Sequence, residues 1–385
     1  MNQALRILMV HPSCELYGTD RVFLESIDAF LERGWNVQVV LPESGPLTAE
    51  LRERGVSPMI CEMPVLRKSL MSPRGLLRLG RNVSVGSVQG LKLIFRSSPH
   101  VVYVNTITIP LWPILARIAR KPVIIHVHEA EGNAPRWLRA TLAFPLRFAT
   151  TVVANSHYSI GVHTESVPSL KNKSEIIYNG VALPETATPA RAVISGPFRV
   201  LYVGRLSYRK GVDVAVAAVG QLWDRGVPVH LDIVGSVYMG GEPYEESLRQ
   251  AVQAQGLESR VTFHGFHQDV SPFHEKCDAA VVTSRLDEGF GNTAIETVLA
   301  GRPLVVSDTS GLREAAADYP SAQFVAPDNP TALADALLNV ADNWDSFSAM
   351  AAVDSQLAAR KHSSKAYRSA IADVVIRTGR LAASG

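Results

Sequence analysis

Cysteine is scarce in this sequence of 385 residues. Its three cysteines, Cys14, Cys61 and Cys277, lie far apart and form no C-x-x-C pair. This spacing excludes a disulfide framework and gives no indication of a cysteine-ligated zinc site. We therefore expect the protein to reside in a reducing compartment.

An uninterrupted hydrophobic segment of membrane-spanning length is also missing. The most apolar stretch, Val101–Ala119, is interrupted by Asn105, Pro110, Pro113 and Arg117, whereas a spanning helix needs about 20 predominantly apolar residues. The first residues lack a basic n-region, an apolar h-region and a cleavage site, so no signal peptide is predicted. We expect a cytoplasmic protein.

Two common nucleotide-binding fingerprints are absent. No G-x-G-x-x-G follows a predicted strand, and no Walker loop occurs. Because the glycines of the first motif allow the chain to approach the pyrophosphate of a dinucleotide, its absence disfavours a dehydrogenase.

The sequence does contain enough apolar material for two cores, and its charge is unevenly distributed. Hydrophobic residues make up 46% of the chain, and a chain of this length is typical of two domains. Residues 1–180 carry 20 Lys and Arg against 13 Asp and Glu, whereas residues 181–385 carry 18 against 23. The first half is therefore basic and the second half acidic, an asymmetry that is a signal for interaction partners.

Short runs rich in Val and Ile alternate with longer amphipathic stretches. Continuous apolar runs are typical of parallel strands that helices cover on both faces. The predicted strands of the first half are Arg6–Val10, Asn36–Leu41, Val101–Val104, Val123–His128, Thr151–Ala154 and Glu175–Tyr178. Those of the second half are Phe198–Val203, Val229–Val234, Val261–Phe263, Ala279–Thr283, Pro303–Ser307 and Gln323–Val325.

These two series predict an α/β fold with two doubly wound parallel-sheet (Rossmann-like) domains facing across a cleft. The predicted domains are residues 1–180 and 198–362, joined by a linker at 181–197 in which Ala, Pro and Thr occur with little periodicity. A further helix is predicted within 363–385, for which the first domain is a candidate packing partner. In such sheets ligands bind at the carboxyl ends of the strands.

The strongest candidate site is the segment Ser284–Glu296, which follows a predicted strand and enters a helix near Asn292. A glycine-containing turn into a helix is suited to anions, because amides and the positive end of the helix dipole converge there. Glu288 and Glu296 each present a carboxylate that can accept hydrogen bonds from the two hydroxyl groups of a sugar diol. Alternatively, Glu296 is a solvated helix residue and the glycines only form a turn. The other candidate substrate ligands of this turn are Gly289, Phe290, Gly291, Asn292 and Thr293.

Three further loops follow predicted strands. Arg205 and Lys210 flank a loop before a helix, which suits a diphosphate, although a solvated basic loop is the alternative. Gly18 and Thr19 precede a helix after the first strand. His126 and His128 lie at the end of a strand, and their side chains point to the same face. We expect one of them to contact the ligand and the other to pack in the core, and we expect no metal site here.

A basic, leucine-rich stretch lies in the first half. Such mixtures are typical of helices that lie on an anionic membrane surface, with nucleic acid as a rival partner for which no motif appears. A solvated helix face is the alternative. Its basic residues are Arg67, Lys68, Arg74, Arg78, Arg81, Lys92 and Arg96.

The chain resembles the large family 4 of retaining glycosyltransferases, which have the GT-B architecture. The E-x7-E spacing of that family matches Glu288 and Glu296, its phosphate loop matches Val203–Gly211, and its Asn-Gly-Val turn matches Asn179–Val181. The segment Gly301–Glu314 is also similar to the family. The family often has Gly-Gly where this chain has Tyr17-Gly18.

The resemblance implies a role for each matching residue. Arg205 and Lys210 would neutralise the diphosphate, Glu296 would hold the ribose, and Glu288 and His128 would contact the transferred sugar. Gly18 would bring backbone amides to the phosphate.

The resemblance further implies a retaining, metal-independent hexosyltransferase without a cofactor. It would use a UDP- or GDP-linked sugar as donor. The basic, leucine-rich stretch of the first half further predicts a lipid-linked or glycan acceptor at the inner membrane face, as in cell-surface polysaccharide or glycolipid synthesis, and no nucleic-acid partner. The acceptor hydroxyl would attack from the side of the leaving group; a covalent Glu288 adduct is less favoured. A nucleotide-sugar epimerase and a non-catalytic nucleotide-sugar-binding protein remain alternatives.

Overall fold

The computed structural model describes residues 4–66, 73–181, 188–238 and 240–381. The chain forms two compact units, one of Met1–Gly180 with Ser364–Gly385 and one of Val181–Ser363. Arg67 and Lys68 lie outside the described residues, as do the side chains of Arg74, Arg78 and Arg81 and the linker residues 182–187.

The first unit contains a parallel sheet. Among the described residues its strands are β1 (Arg6–Val10), β2 (Asn36–Leu41), β3 (Met59–Ile60), β4 (Val101–Asn105), β5 (Val123–Val127), β6 (Thr151–Ala154) and β7 (Ser174–Ile176). They are arranged in the order β3-β2-β1-β4-β5-β6-β7. The chain therefore starts in the middle of the sheet and turns back at β1 and β4, as in a doubly wound fold.

Helices connect these strands. They are α1 (Gly18–Leu31), α2 (Pro46–Glu53), α3 (Pro73–Ser97), α4 (Leu111–Ile118), α5 (Arg136–Ala143) and α6 (His157–Ser166). Side chains of β1 alternate between the two faces, so that Ile7 and Met9 join one core while Leu8 and Val10 join another. This explains why the strand is apolar at consecutive positions.

The second unit contains another parallel sheet. Its described strands are β8 (Phe198–Val203), β9 (Val229–Val234), β10 (Val261–Gly265), β11 (Ala279–Val282), β12 (Leu304–Ser307) and β13 (Ala322–Val325). The order β10-β9-β8-β11-β12-β13 places the reversal between β8 and β11. The crevice expected for ligands in such a sheet therefore lies at the carboxyl ends of these two strands.

The helices of the second unit cover both faces of its sheet. They are α7 (Val212–Asp224), α8 (Glu242–Ala254), α9 (Ser271–Lys276), α10 (Asn292–Leu299), α11 (Ser310–Ala316), α12 (Pro330–Asp342) and α13 (Trp344–His362). Buried apolar residues of α7 and α12 share one core with β8 and β9.

The final helix, α14 (Ser364–Leu381), packs in the first unit. Ile371 and Val375 share a core with Phe23 and Ile27 of α1. The hydroxyl of Tyr367 lies 2.6 Å from that of Ser26, so the contact is polar as well as apolar. Helix α14 is therefore part of the packed core of the first unit.

The prediction of two doubly wound parallel sheets is confirmed by both strand orders. The short strand β3 was not predicted, because two residues carry too little periodicity to be recognised. Within the described ranges, no helix combines the length and the hydrophobicity that crossing a bilayer requires.

We expect Ile371→Ala to destabilise the first unit by about 2–5 kcal/mol, because it leaves a cavity between α14 and α1. Hydrogen exchange of β1 and β4 peptides in increasing urea measures this loss. The matched control is Asp373→Ala, which removes an ion pair that is largely solvent-exposed and should change stability by less than about 1 kcal/mol. Equal effects of the two variants would contradict the packing of α14.

Candidate functional site

The best-defined polar cluster of the second unit lies where β8 and β11 end. The chain leaves β8 through residues 204–211 and leaves β11 through residues 283–291, and β8 and β11 are hydrogen-bonded neighbours. The two predicted loops are therefore brought together at one edge of the sheet, at its reversal point.

A charge pair joins these loops. The ammonium of Lys210 donates to Oε1 of Glu288 at 2.7 Å, and the hydroxyl of Ser284 donates to the same oxygen at 2.7 Å. The Glu288 side chain is 14% exposed, whereas that of Lys210 is 34% exposed. The carboxylate is thus largely buried, while the cation keeps access to solvent.

The charge state of Glu288 depends on this partner. Burial alone would raise the pKa of the Glu288 carboxyl, but the Lys210 ammonium and the Ser284 hydroxyl outweigh burial and hold that pKa below its usual range. Glu288 is therefore an anion at neutral pH and acts as a hydrogen-bond acceptor.

Glycine allows the two loops to approach closely. Gly211 has φ = 64°, and a Cβ at this position would lie 2.1 Å from the carbonyl oxygen of Thr283. The hydroxyl of Thr283 donates to the carbonyl of Gly211 at 2.7 Å. A larger residue at 211 would push the Lys210 loop away from the Glu288 loop.

Arg205 lies in the same loop as Lys210 but contacts a different group. Its guanidinium carbon lies 3.4 Å from the ring centroid of Tyr238, and it donates a hydrogen bond to the Tyr238 hydroxyl. The two predicted diphosphate cations thus share a loop, and Lys210 contacts Glu288 directly.

The predicted glycine turn leads into α10. Gly291 precedes the helix with φ = 107°, which favours glycine, and Phe290 is buried with its ring 5.6 Å from that of His362. Asn292, Thr293 and Glu296 are half-buried on the first turns. The start of α10 therefore offers the positive end of a helix dipole beside the Glu288 loop.

One functional candidate was not predicted from the sequence. Arg285 donates to both carboxylate oxygens of Asp213 at 2.8 and 2.5 Å, and to Asp328 at 2.7 Å. Its backbone amide also donates to the carbonyl of Arg209 at 2.9 Å. Arg285 thereby fixes the two loops to each other. Its position next to Ser284, within the predicted site segment, could have indicated a role, but its carboxylate partners are distant in sequence.

The first unit places His128 just after β5, where its Nε2 lies 2.9 Å from Oδ1 of Asn105. His126 is fully buried and lies 2.6 Å from the Tyr103 hydroxyl. Burial, together with the neighbouring His126 and His11, lowers the pKa of His128 well below its usual value. His128 is therefore a neutral imidazole at pH 7, half-buried at the carboxyl end of the sheet.

The loop before α1 is held by its own helix. A carboxylate oxygen of Asp20 accepts from the backbone amide of Tyr17 at 2.8 Å, and α1 begins at the exposed Gly18, followed by the half-buried Thr19. Among the described residues, no group of three or more His, Cys, Asp or Glu side chains is arranged to hold a metal ion.

The described part of the basic stretch forms one face of α3. Val88, Lys92, Phe95 and Arg96 recur at helical spacing and are exposed, with 63% of Phe95 accessible. An exposed aromatic ring between basic residues is typical of a helix that lies on an anionic surface.

Two family profiles match consecutive parts of the sequence. Residues 17–184 match Glycosyltransferase Family 4, and residues 186–353 match Glycosyl transferases group 1. The two matches together cover most of both units.

Curated relatives match shorter segments. Glycogen synthase of Mycobacterium tuberculosis is 31% identical over 239 residues, which are 60% of this chain and 56% of that protein. Alpha-D-kanosaminyltransferase of Streptomyces kanamyceticus is 30% identical over 182 residues, or 47% of this chain and 46% of that protein. The chain therefore spans about half the length of these relatives.

Solved structures match along nearly the whole chain. HepE of Anabaena, crystallised with UDP and glucose, superposes with a TM-score of 0.81 at 21% identity, covering 96% of this chain and 99% of that one. Sucrose-phosphate synthase of Thermosynechococcus elongatus has a TM-score of 0.75 at 17% identity, covering 99% and 100%. At these identities the likeness concerns the fold, and the GT-B prediction is confirmed.

We expect Lys210→Met to destabilise the second unit by about 1–2 kcal/mol at pH 7, the low end for a charged hydrogen bond because Lys210 is partly solvated. A depressed carboxyl pKa stabilises the fold above the unfolded-state pKa of about 4.3 and loses that effect as pH falls. Urea-dependent hydrogen exchange of β8 and β11 should therefore show a smaller loss near pH 3.5, below the unfolded-state pKa.

The control for this experiment is Lys276→Met, which removes an exposed lysine of α9 and should alter stability little at either pH. A loss in Lys210→Met that does not change with pH would show that the lysine stabilises the unit by packing rather than by its charge.

Proposed function

Because the chain belongs to the group 1, family 4 glycosyltransferases, we propose that it is a retaining enzyme that transfers a hexose from a nucleotide diphosphate sugar to an acceptor hydroxyl. The observation that carries the proposal is the Lys210–Glu288 pair at the reversal point of the second sheet. A cation and a carboxylate side by side suit a ligand that joins a diphosphate to a sugar.

The departing diphosphate determines what the second unit must supply. Breaking the bond between sugar and phosphate leaves negative charge on the diphosphate and positive charge on the sugar ring. Lys210 and Arg205, aided by the dipole of α10, stabilise the first charge without a metal ion. Glu296, half-buried in α10, is proposed to accept from the ribose hydroxyls.

The ionised state of Glu288 supports a binding role. Its carboxylate already accepts hydrogen bonds from Lys210 and Ser284, so we assign it to the hydroxyls of the transferred sugar. Retention then follows from a same-face reaction. The acceptor oxygen bonds to the anomeric carbon as the phosphate leaves from the same side, and a phosphate oxygen takes the hydroxyl proton.

The neighbours support the donor and acceptor classes. The structure of Anabaena HepE contains UDP, which favours a UDP-linked donor over a GDP-linked one. A relative at 28% identity is named a lipopolysaccharide core mannosyltransferase, which is consistent with a lipid-linked or glycan acceptor in cell-surface polysaccharide synthesis. No cofactor beyond the sugar donor is proposed.

The exposed basic face of α3 supports a location at the inner membrane face. Lys92, Phe95 and Arg96 would place cations at phospholipid headgroups and an aromatic ring at their boundary with the acyl chains. A cytoplasmic enzyme held there would meet its lipid-linked acceptor.

Lys210→Ala should weaken UDP binding by about 10- to 100-fold, the effect of losing a hydrogen bond to a charged group. Lys210→Ala and Glu296→Ala should each abolish transfer. Calorimetry with UDP and with GDP measures binding, and release of the nucleotide diphosphate in the presence of acceptor measures transfer.

The matched control is Lys276→Ala, because this lysine is exposed on α9 and lies outside the proposed site. It should bind UDP as the native chain does. Full transfer activity in either Lys210→Ala or Glu296→Ala would refute the proposed donor site.

Reversing two charges in Lys92→Glu/Arg96→Glu should weaken binding to phosphatidylglycerol vesicles by at least about tenfold, since each basic residue contributes about 1 kcal/mol. Sedimentation at low and at physiological salt measures this, and the difference should shrink as salt screens the charges.

The control is Arg360→Glu/Lys365→Glu, which changes the net charge equally at exposed residues of α13 and α14. If this control lost as much binding, net charge rather than the face of α3 would attract the membrane. Absence of binding by the native chain would remove the membrane proposal.

A further inference from the structure

A chain of hydrogen bonds leads from Asp20 to His128 inside the first unit. Oδ1 of Asp20 lies 2.6 Å from Nε2 of His11, and Nδ1 of His11 lies 2.9 Å from Nδ2 of Asn105. Oδ1 of Asn105 then lies 2.9 Å from Nε2 of His128. The chain connects the helix α1 with the carboxyl ends of β1, β4 and β5.

Each internal member of this chain is buried. The exposed fractions are 3% for Asp20, 1% for His11 and 0% for Asn105, whereas His128 is half-buried. The ring of His11 also stacks on that of Phe23, with centroids 4.5 Å apart. Because water does not reach these groups, each hydrogen bond is satisfied within the chain and constrains the next.

The donors and acceptors have one consistent order. The amide nitrogen of Asn105 can only donate, so Nδ1 of His11 accepts from it and the proton of His11 lies on Nε2, which donates a hydrogen bond to Asp20. Asn105 therefore donates its amide to His11 and turns its oxygen toward His128. That oxygen accepts, so Nε2 of His128 carries the proton and Nδ1 is the acceptor nitrogen.

The second oxygen of Asp20 performs a different task. Oδ2 accepts from the backbone amide of Tyr17 at 2.8 Å, immediately before Gly18. Since that amide can only donate, this side of residue 20 must present an acceptor. One carboxylate therefore fixes both the loop at Gly18 and the hydrogen-bond order that ends at His128.

Backbone strain lies beside the same chain. Thr106 follows Asn105 and has φ = 95°, an unfavourable region for a β-branched residue. Its amide donates to the carbonyl of His126 at 2.7 Å. Strain of this kind is retained where the surroundings demand one local geometry, here the position of Asn105 opposite His128.

We propose that Asp20 is a positioning residue of the transfer reaction, acting through His11 and Asn105 to hold His128 as the Nε2-protonated tautomer. Nδ1 of His128 then accepts a hydrogen bond from a hydroxyl of the transferred sugar. This second step rests on the proposed function, whereas the tautomer of His128 does not.

Asp20→Asn tests the proposal with almost no change of shape. The new side chain must keep its oxygen toward the Tyr17 amide, so its NH₂ group faces His11 Nε2. His11 would then carry its proton on Nδ1, Asn105 would turn over, and His128 would become the Nδ1-protonated tautomer. The carboxylate-to-amide exchange in a serine protease triad acts through the same change of tautomer.

Long-range ¹H–¹⁵N correlation spectra of the full chain labelled with ¹⁵N-histidine report which ring nitrogen carries the proton. Loss of one signal set in His128→Gln assigns the residue. We expect the Nε2-protonated form in the native chain and the Nδ1-protonated form in Asp20→Asn. An Nδ1-protonated His128 in the native chain would overturn the proposal, whether or not any variant folds.

The matched control is Glu25→Gln, which removes another α1 carboxylate by breaking its 2.7 Å pair with Arg368 and leaves the hydrogen-bond chain untouched. Its His128 signals should be native. If Glu25→Gln changed the tautomer as Asp20→Asn does, or if Asp20→Asn left it unchanged, the relay would be refuted.

Kinetics supply the second measurement. Asp20→Asn should lower kcat for transfer by about 10²-fold, as misplacement of a site group does. The donor KM should change little, because the side chain of residue 20 still accepts the hydrogen bond from the Tyr17 amide that holds the loop at Gly18. Glu25→Gln should retain native kcat. If the native chain catalysed no transfer, the proposed function would be refuted. The spectra would still test whether Asp20 determines the tautomer of His128 through His11 and Asn105.

Discussion

The ion pair between Lys210 and Glu288 is the interaction on which the candidate donor site depends. It joins the loops that follow two neighbouring strands, and it exists because Gly211 lets those loops approach within contact of Thr283. A buried carboxylate without this partner would take up a proton. The same contact thus fixes the loops, keeps one group anionic and leaves the cation accessible to a phosphate.

In the first unit, the candidate site is organised by a buried chain of hydrogen bonds instead of an ion pair with a solvent-accessible cation. Asp20 is buried beside His11, and we propose that the hydrogen bonds through His11 and Asn105 let Asp20 determine which ring nitrogen of His128 carries the proton. Burial and the neighbouring histidines lower the pKa of His128, so the role that we propose for its side chain is that of a neutral hydrogen-bond acceptor. The two units therefore supply different chemistry from the same place in a parallel sheet, the carboxyl ends of its central strands.

Sequence reasoning predicted the sheets well. Buried parallel strands are continuous apolar runs rich in Val and Ile, and they are easily distinguished from the amphipathic helical stretches between them. It also placed Lys210 and Glu288 on loops after strands, where spacing alone is informative. It did not find Arg285, nor the partners of Arg285 and His128. Asp213, Asp328 and Asn105 come from distant parts of the chain, and only the strand order brings them to Arg285 and His128.

The charge of the first half is explained by separating its cations according to what they contact. Arg54 forms ion pairs with Asp28 and Glu50 and so stabilises the fold of the first unit. Lys92 and Arg96 lie instead in a segment of the sequence that has no acidic residue. A face meant only for water usually mixes both signs of charge and avoids large apolar groups. The exposed ring of Phe95 between these cations is the observation that supports the proposed contact of this face with an anionic, partly apolar surface.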